Sequence, residues 1–280
     1  MTQTIESQPG GETAPQPSRI AATFARLKAE GRTALMPYLT VGYPDVATTL
    51  AAVPAMVEAG ADLLELGMAF SDPLADGVTI QRTNQHALEQ GVNTTTTLDV
   101  ARQLRAEGVE APLIAMGYFN PILRYGIERF VADCAAAGID GLIIPDLPPE
   151  ESDEVVEACR RHERDFILFV APTSPESRIK EVAARASGFI YCISLTGVTG
   201  ARAALQDGLA DYLARIRTYT DLPLCVGFGI SKAEHVAQVG QMAEGAIIGA
   251  AVLTRLGTVE DRPLPERVAA VADYIREVRG

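Results

Sequence analysis

Eight short apolar, β-rich runs alternating with longer amphipathic segments predict an α/β chain of the (β/α)8 TIM-barrel class. Three observations support that class. The alternation calls for parallel strands joined by right-handed crossovers. The length of 280 residues accommodates eight such units in one domain. The chemically unusual residues gather just after the runs, where a barrel carries its working face. A doubly wound open sheet would give a similar string with fewer strands.

Residues 1–18, MTQTIESQPGGETAPQPS, are polar and rich in Gly and Pro; they read as a disordered tail, leaving 19–280 as a single barrel domain. In RIAATFARLKAEG, apolar residues at Ile20, Phe24 and Leu27 precede a glycine stop at Gly31, which predicts an additional N-terminal helix. The eight strand runs are ALMPYLTVG, DLLELGM, PLIAMGYF, GLIIPDL, FILFVAP, GFIYCIS, PLCVGFG and GAIIGAA. Helical patterns such as VATTLAAVPAMVEAG, TTLDVARQLRAEG, IERFVADCAAAG and KAEHVAQVGQMA separate them. After the eighth run a short extra helix opens, and PERVAAVADYIREVRG closes the chain as a final helix. The segments after the runs are AFSDPLADG, NPILRYG, PDLPPEE, PTSPES, LTGVTGAR, GFGIS and GAA, all read as loops or loop-to-helix junctions. The opposite connections, EAGAD, AAGID and ARASG, look short and plain.

Composition narrows the function. With 48% apolar and 21% charged residues the chain reads as folded rather than mostly disordered. A formal charge of −12, with no Lys/Arg stripe, argues against nucleic acid as a partner. No apolar run approaches the ~20 residues that span a bilayer, and the N-terminus lacks the features of a signal peptide, so the expected location is the cytoplasm, away from membranes. Cys134, Cys159, Cys192 and Cys225 lie far apart in apolar contexts and read as reduced, buried thiols. His86, His162 and His235 fall on expected helices without a second ligand at helical spacing, so no metal site is expected.

The carboxylate in LLELGM is the most unusual feature of the strand runs. If Leu64 and Leu66 pack against the outer helices, Glu65 points into the barrel near its carboxyl end. Burial there raises its pKa and fits it to exchange a proton near neutrality. The plainer reading is a Glu neutralised by an interior Lys or Arg, but the other seven runs contain no basic residue. Asp76, in DPLADG, is equally well explained by the demands of a tight turn, and the residues alone leave that choice open. Asp62 and Asp72 read as junction and turn residues. LTGVTGAR (195–202), VGFGIS (226–231) and IIGAA (247–251) place glycines after the sixth, seventh and eighth runs, the arrangement of a barrel phosphate site closed by a short helix N-terminus. The residues by themselves thus describe a barrel enzyme that grips a phosphorylated small molecule and performs acid/base chemistry with Glu65.

From about residue 19 to the C-terminus the sequence resembles the tryptophan synthase α subunit family. The resemblance is carried by YLTVGYPD (38–45), LELGMAFSDPLADGVTIQ, NPILRYG (120–126), GLIIPDLPPEE (141–151), YCISLTGVTGAR (191–202) and GFGIS (227–231). It implies retro-aldol cleavage of indole-3-glycerol phosphate to indole and glyceraldehyde 3-phosphate, with Glu65 as general acid/base and Asp76 bonding the indole N–H. By the same carry-over Tyr191 lines the site near Glu65, Thr199 helps close over the substrate and orients Asp76, Phe228 and Tyr38 wall the indole pocket, and Gly200, Gly229, Gly249 and Ala250 hold the phosphate. The resemblance further implies a β subunit in an α2β2 assembly, with pyridoxal phosphate on the β subunit and no cofactor in this chain. A stand-alone indole-glycerol-phosphate lyase and a non-catalytic barrel that activates a partner enzyme are the alternatives. Two positions depart from the family pattern: Ala69 replaces a proline, loosening the loop, and Ala250 replaces a serine, removing one hydroxyl worth about 1 kcal/mol to phosphate binding.

Overall fold

Eight strands close into a barrel in chain order: β1 (Ala34–Thr40), β2 (Leu64–Gly67), β3 (Leu113–Met116), β4 (Gly141–Ile143), β5 (Asp165–Val170), β6 (Ile190–Ile193), β7 (Leu224–Gly227) and β8 (Gly245–Ile248). All neighbours pair in parallel, and β8 returns to β1 with Ala34 beside Gly245 and Pro37 beside Ile248. A computed structural model describes residues 17–194, 202–227 and 229–280, with the backbone alone for 202–207. Each strand falls within one of the eight apolar runs, except that β5 starts one residue earlier at Asp165. Among the described residues no helix is long and apolar enough to cross a membrane.

The connecting helices are α1 (Arg19–Ala29), α2 (Val46–Glu58), α3 (Val78–Glu89), α4 (Thr94–Ala106), α5 (Phe119–Tyr125), α6 (Ile127–Ala136), α7 (Asp153–Arg161), α8 (Glu176–Arg185), α9 (Arg202–Arg217), α10 (Ala233–Gly240), α11 (Ala250–Gly257) and α12 (Leu264–Arg279). The additional helix α1 and the short helix α11 occupy their expected places. NPILRYG, read as a loop, is instead helix α5: Pro121 sits in its first turn, where no intrahelical N–H bond is lost. Helix α3 is also absent from the amphipathic series, because its buried face is made of Thr83, Asn84 and Ala87 rather than large apolar side chains. His86 and His235 lie on helices, whereas His162 is the C-cap of α7 and pairs with Glu128.

Strand alternation divides the core in two. Leu64, Leu66, Leu113 and Leu142 face outward and pack against the helices. Met36, Leu63, Ile114, Ile143, Ile167 and Ile247 face inward. At the amino-terminal end of the strands, Ile20, Phe24 and Leu27 of α1 join that inner cluster, and Phe24 packs against Phe189 with ring centroids 5.9 Å apart. Ser18, placed in the tail by its composition, caps α1 by accepting a hydrogen bond from Ala21 N, while its own hydroxyl donates to Asp165 at 2.6 Å. Residues 1–16 lie outside the described residues.

The connections that look plain in the sequence hold a buried ionic layer. Asp140, just before β4, accepts Leu113 N at 2.8 Å, Arg105 at 2.6 Å and Arg19 at 2.6 Å. Asp62, just before β2, accepts Leu35 N at 3.0 Å and lies 3.0 Å from Arg279 of α12. Both aspartates therefore terminate a strand edge and neutralise the guanidiniums of neighbouring helices. Together with α1, this layer closes the amino-terminal end of the barrel.

Candidate active site

Glu65 lies in the middle of β2 beside Tyr38 of β1 and Ile114 of β3. Its outward neighbours Leu64 and Leu66 belong to the helix-facing core, so the Glu65 side chain points into the barrel, as the strand period requires. It is 1% exposed, and its Oε1 has no hydrogen-bond partner among the described residues. Removal from water disfavours the carboxylate and pushes its pKa up to about 8. A carboxyl in this state holds its proton near neutrality and surrenders it readily.

The aromatic groups around Glu65 are seated by glycines. Gly67 and Gly227 present no side chain to the interior, and a Cβ at either position would overlap the hydroxyl end of Tyr38 or Tyr191. Tyr191 packs on Phe169 at 4.6 Å between centroids, and Thr40 Oγ1 donates to Tyr38 Oη at 3.4 Å. Burial raises the pKa of both tyrosines, and the negative charges of Glu65 and Asp76 raise them further. Both hydroxyls therefore remain protonated and lie within the field of the two acids. Introducing Gly67→Ala is expected to lower stability by about 1–3 kcal/mol through overpacking and to raise KM as Tyr38 is displaced, measured by urea denaturation and steady-state kinetics.

Asp76 sits in the turn after β2, where its backbone N–H bonds Pro73 O at 3.0 Å. The turn that the sequence suggests is real, and the side chain nevertheless reaches inward. It is partly buried, which pushes its pKa up to about 6 against the opposing effect of hydrogen bonds from Tyr118 and Asn84. Tyr118, at the start of α5, also accepts Ala75 N at 3.0 Å and stacks with Phe70 at 5.2 Å. Neither Tyr118 nor Asn84 stands out in the sequence. The available signal for Tyr118 is an aromatic hydroxyl at the carboxyl end of a strand; for Asn84 it is an amide on the buried face of the following helix.

β7 and β8 are neighbours, so the loop with Gly229 (φ 81°) and the N-terminus of α11 emerge side by side. Gly249 is the N-cap of α11 and Ala250 its first residue, and among the described residues no side chain caps the helix. The first amides of α11 thus have no side-chain cap, and backbone N–H groups at a helix N-terminus, with the helix dipole, favour an anion. Thr199, Gly200 and Phe228 lie outside the described residues. Asp72 accepts Ser71 Oγ at 2.5 Å, and Asp62 belongs to the sealed end, so neither enters the site.

The chain is similar in sequence and in fold to known proteins of one family. A family model described as tryptophan synthase alpha chain matches residues 24–277. A relative from Roseiflexus sp. (strain RS-1), named tryptophan synthase alpha chain, is 55% identical over 263 residues, covering 94% of this chain and 100% of its own length. One of the same name from Chloroflexus aurantiacus is 56% identical over 261 residues, 93% of this chain and 97% of the relative. Among solved structures, tryptophan synthase subunit alpha from Legionella pneumophila superposes with a TM-score of 0.85 at 35% identity, covering 94% of this chain and 99% of that one. A chain of M. tuberculosis tryptophan synthase, in an aminoacrylate-bound form, superposes with a TM-score of 0.82 at 36% identity, covering 94% and 100%.

Proposed function

The chain belongs to the tryptophan synthase alpha chain family, a lyase of tryptophan biosynthesis that cleaves indole-3-glycerol phosphate, and on that premise we propose that Glu65 and Asp76 divide the chemistry between them. The observation that carries this assignment is the different setting of two carboxyl groups at one end of the barrel: Glu65 is buried with Oε1 unpartnered among the described residues, which pushes its pKa up to about 8, whereas Asp76 is held by Tyr118 and Asn84 and is pushed only to about 6. Near neutrality the first is an acid and the second an anion.

Glu65 gives its proton to indole C3, and the ring nitrogen takes up positive charge. Asp76 accepts the N–H bond and stabilises that cation where it develops. The ionised Glu65 then removes the proton of the adjacent glycerol hydroxyl. The bond from C3 to that carbon breaks, its electron pair returns to the ring, and indole and glyceraldehyde 3-phosphate separate with Glu65 again protonated. The phosphate is assigned to amides of Gly229, Gly249 and Ala250, joined by Gly200, with Tyr38, Tyr191 and Phe228 about the indole ring and Thr199 assigned to closing over the substrate and orienting Asp76. Ala250 contributes its backbone N–H alone. No cofactor enters these steps; pyridoxal phosphate is assigned to the β subunit.

A β subunit is the general partner of the family, and we assign this chain to an α2β2 assembly in the cytoplasm. Leu74 and Val78, 94% and 84% exposed, follow β2, and Leu123, 54% exposed, follows β3. Three large apolar side chains exposed on the segments that follow β2 and β3, Leu74 in a turn, Val78 at the start of α3 and Leu123 on α5, favour a partnered reading over a stand-alone lyase.

The test is the pH dependence of indole release by the purified chain. Asp76 must be ionised, so kcat/KM is expected to fall as pH drops through about 6; Glu65 must be protonated, so it is expected to fall again as pH rises through about 8. A profile flat from pH 5 to 9, or no indole even with a β subunit present, sinks the assignment.

A further inference from the structure

Asn84 is 2% exposed on α3, eight residues after Asp76 in the chain. Its Nδ2 donates to Asp76 Oδ2 at 3.4 Å, and its Oδ1 has no hydrogen-bond partner among the described residues. A buried amide with one orphaned end is a poor choice for packing alone, because an apolar residue of the same size would avoid the unpaired acceptor. The amide has a purpose only in what its N–H group faces. While Asp76 is ionised, only the NH2 end of Asn84 is compatible with the carboxylate, which fixes the orientation of the amide.

The helix that carries Asn84 is itself anchored to β1. Thr83 Oγ1 lies 2.8 Å from Thr40 Oγ1, Arg82 donates to Tyr43 Oη at 2.8 Å, and His86 Nε2 lies 3.0 Å from Pro44 O. The residues on either side of Asn84 are thereby tied to the strand of Tyr38 and the loop that follows it. Tyr118, the N-cap of α5, presents its hydroxyl to the same carboxylate. Asp76, which sits on an irregular turn, is thus gripped by groups on two regular elements.

We propose that Asn84 is a positioning residue for the cleavage reaction: by binding one carboxylate oxygen of Asp76 it aims the remaining lone pairs at the substrate N–H. The inference rests on the assignment of Asp76 made above. It adds a residue that never touches the substrate and acts only through Asp76.

Asn84→Leu and Asn84→Ala, read together, test it in the purified chain with a β subunit added. A lost donor to a carboxylate raises its pKa, so the acid limb of kcat/KM is expected to move upward by about one pH unit, which alone lowers kcat/KM at pH 7 about twofold, and the lost aim of the carboxylate is expected to bring the total fall to about tenfold. Asn84→Leu is expected to fold at least as stably as the parent, since the orphaned acceptor goes with the amide. In an Asp76→Asn background the same substitutions are expected to change kcat/KM by less than about twofold, because residues that act through one another do not contribute independently. An unmoved acid limb in both variants, or effects that multiply in the double variants, overturns the role of Asn84. Full activity in Asp76→Asn alone instead overturns the assignment of Asp76 on which the inference stands.

Discussion

Replacing Glu65 with Gln is expected to reduce kcat/KM for indole release by about 10²–10⁴-fold while making the protein more stable in alkaline solution. The first effect follows from removing the group placed to protonate indole C3. Glutamine keeps the shape and hydrogen-bonding atoms of a neutral Glu65 but has no proton to give. The second effect follows from linkage. The folded-state pKa of Glu65 is raised to about 8 from an ordinary value of 4.5, so the native state holds a proton that the unfolded chain releases. The stability contributed by the neutral carboxyl is complete below about pH 4.5 and is lost as pH rises toward 8, at about 1.4 kcal/mol per pH unit. The Glu65→Gln variant has no such slope. Denaturant titrations of both proteins at pH 5 and pH 9 should show the stability gap opening at the higher pH. Equal pH slopes, or undiminished activity in Glu65→Gln, would remove Glu65 from its assigned role. A stabilised, inactive variant is the expected signature of a site that holds an acid against its solvation preference.

At the closed end of the barrel the largest expected effect is on folding. Asp140→Ala should cost about 3–5 kcal/mol of stability, the range for breaking a buried ion pair from one side. Asp140 is 4% exposed and Arg105 is largely covered. Without the carboxylate, Arg105 is left as a buried cation, and Leu113 N loses its acceptor at the start of β3. Asp140→Asn retains an acceptor for Leu113 N and is expected to lose less. The check is chemical denaturation of the three proteins, with kcat/KM measured in folded samples, where little change is expected because this end lies away from the mouth. A loss below about 1 kcal/mol in Asp140→Ala would mean that Arg19 and Arg105 find other partners at no cost.

The barrel was legible because its strands are short apolar runs bounded by glycine, proline and polar turns, and that signal needs no tertiary information. Glu65 was legible for the same reason in reverse, as a charge that interrupts an apolar period. α3 and α5 escaped because their buried faces lack an apolar stripe: α3 hides Thr83 and Asn84 for the sake of Asp76 and β1, and α5 is seven residues long with a proline inside. Asp76 was ambiguous because a turn and a site recruit the same residue type, and here one residue both closes the turn through Pro73 O and places its carboxyl beside Tyr118 and Asn84. Asp62 and Asp140 looked ordinary because their arginine partners come from helices distant in the chain, such as Arg279 for Asp62 and Arg19 for Asp140.

Helix α1 plugs the barrel floor, and the last residue of α12, Arg279, reaches Thr33 O and Asp62 at that same floor. Both ends of the folded domain therefore leave from the side opposite the catalytic opening. A surface, a reporter or a second enzyme tethered at either end would leave the opening facing outward, so the architecture lends itself to immobilisation and fusion without crowding substrate entry.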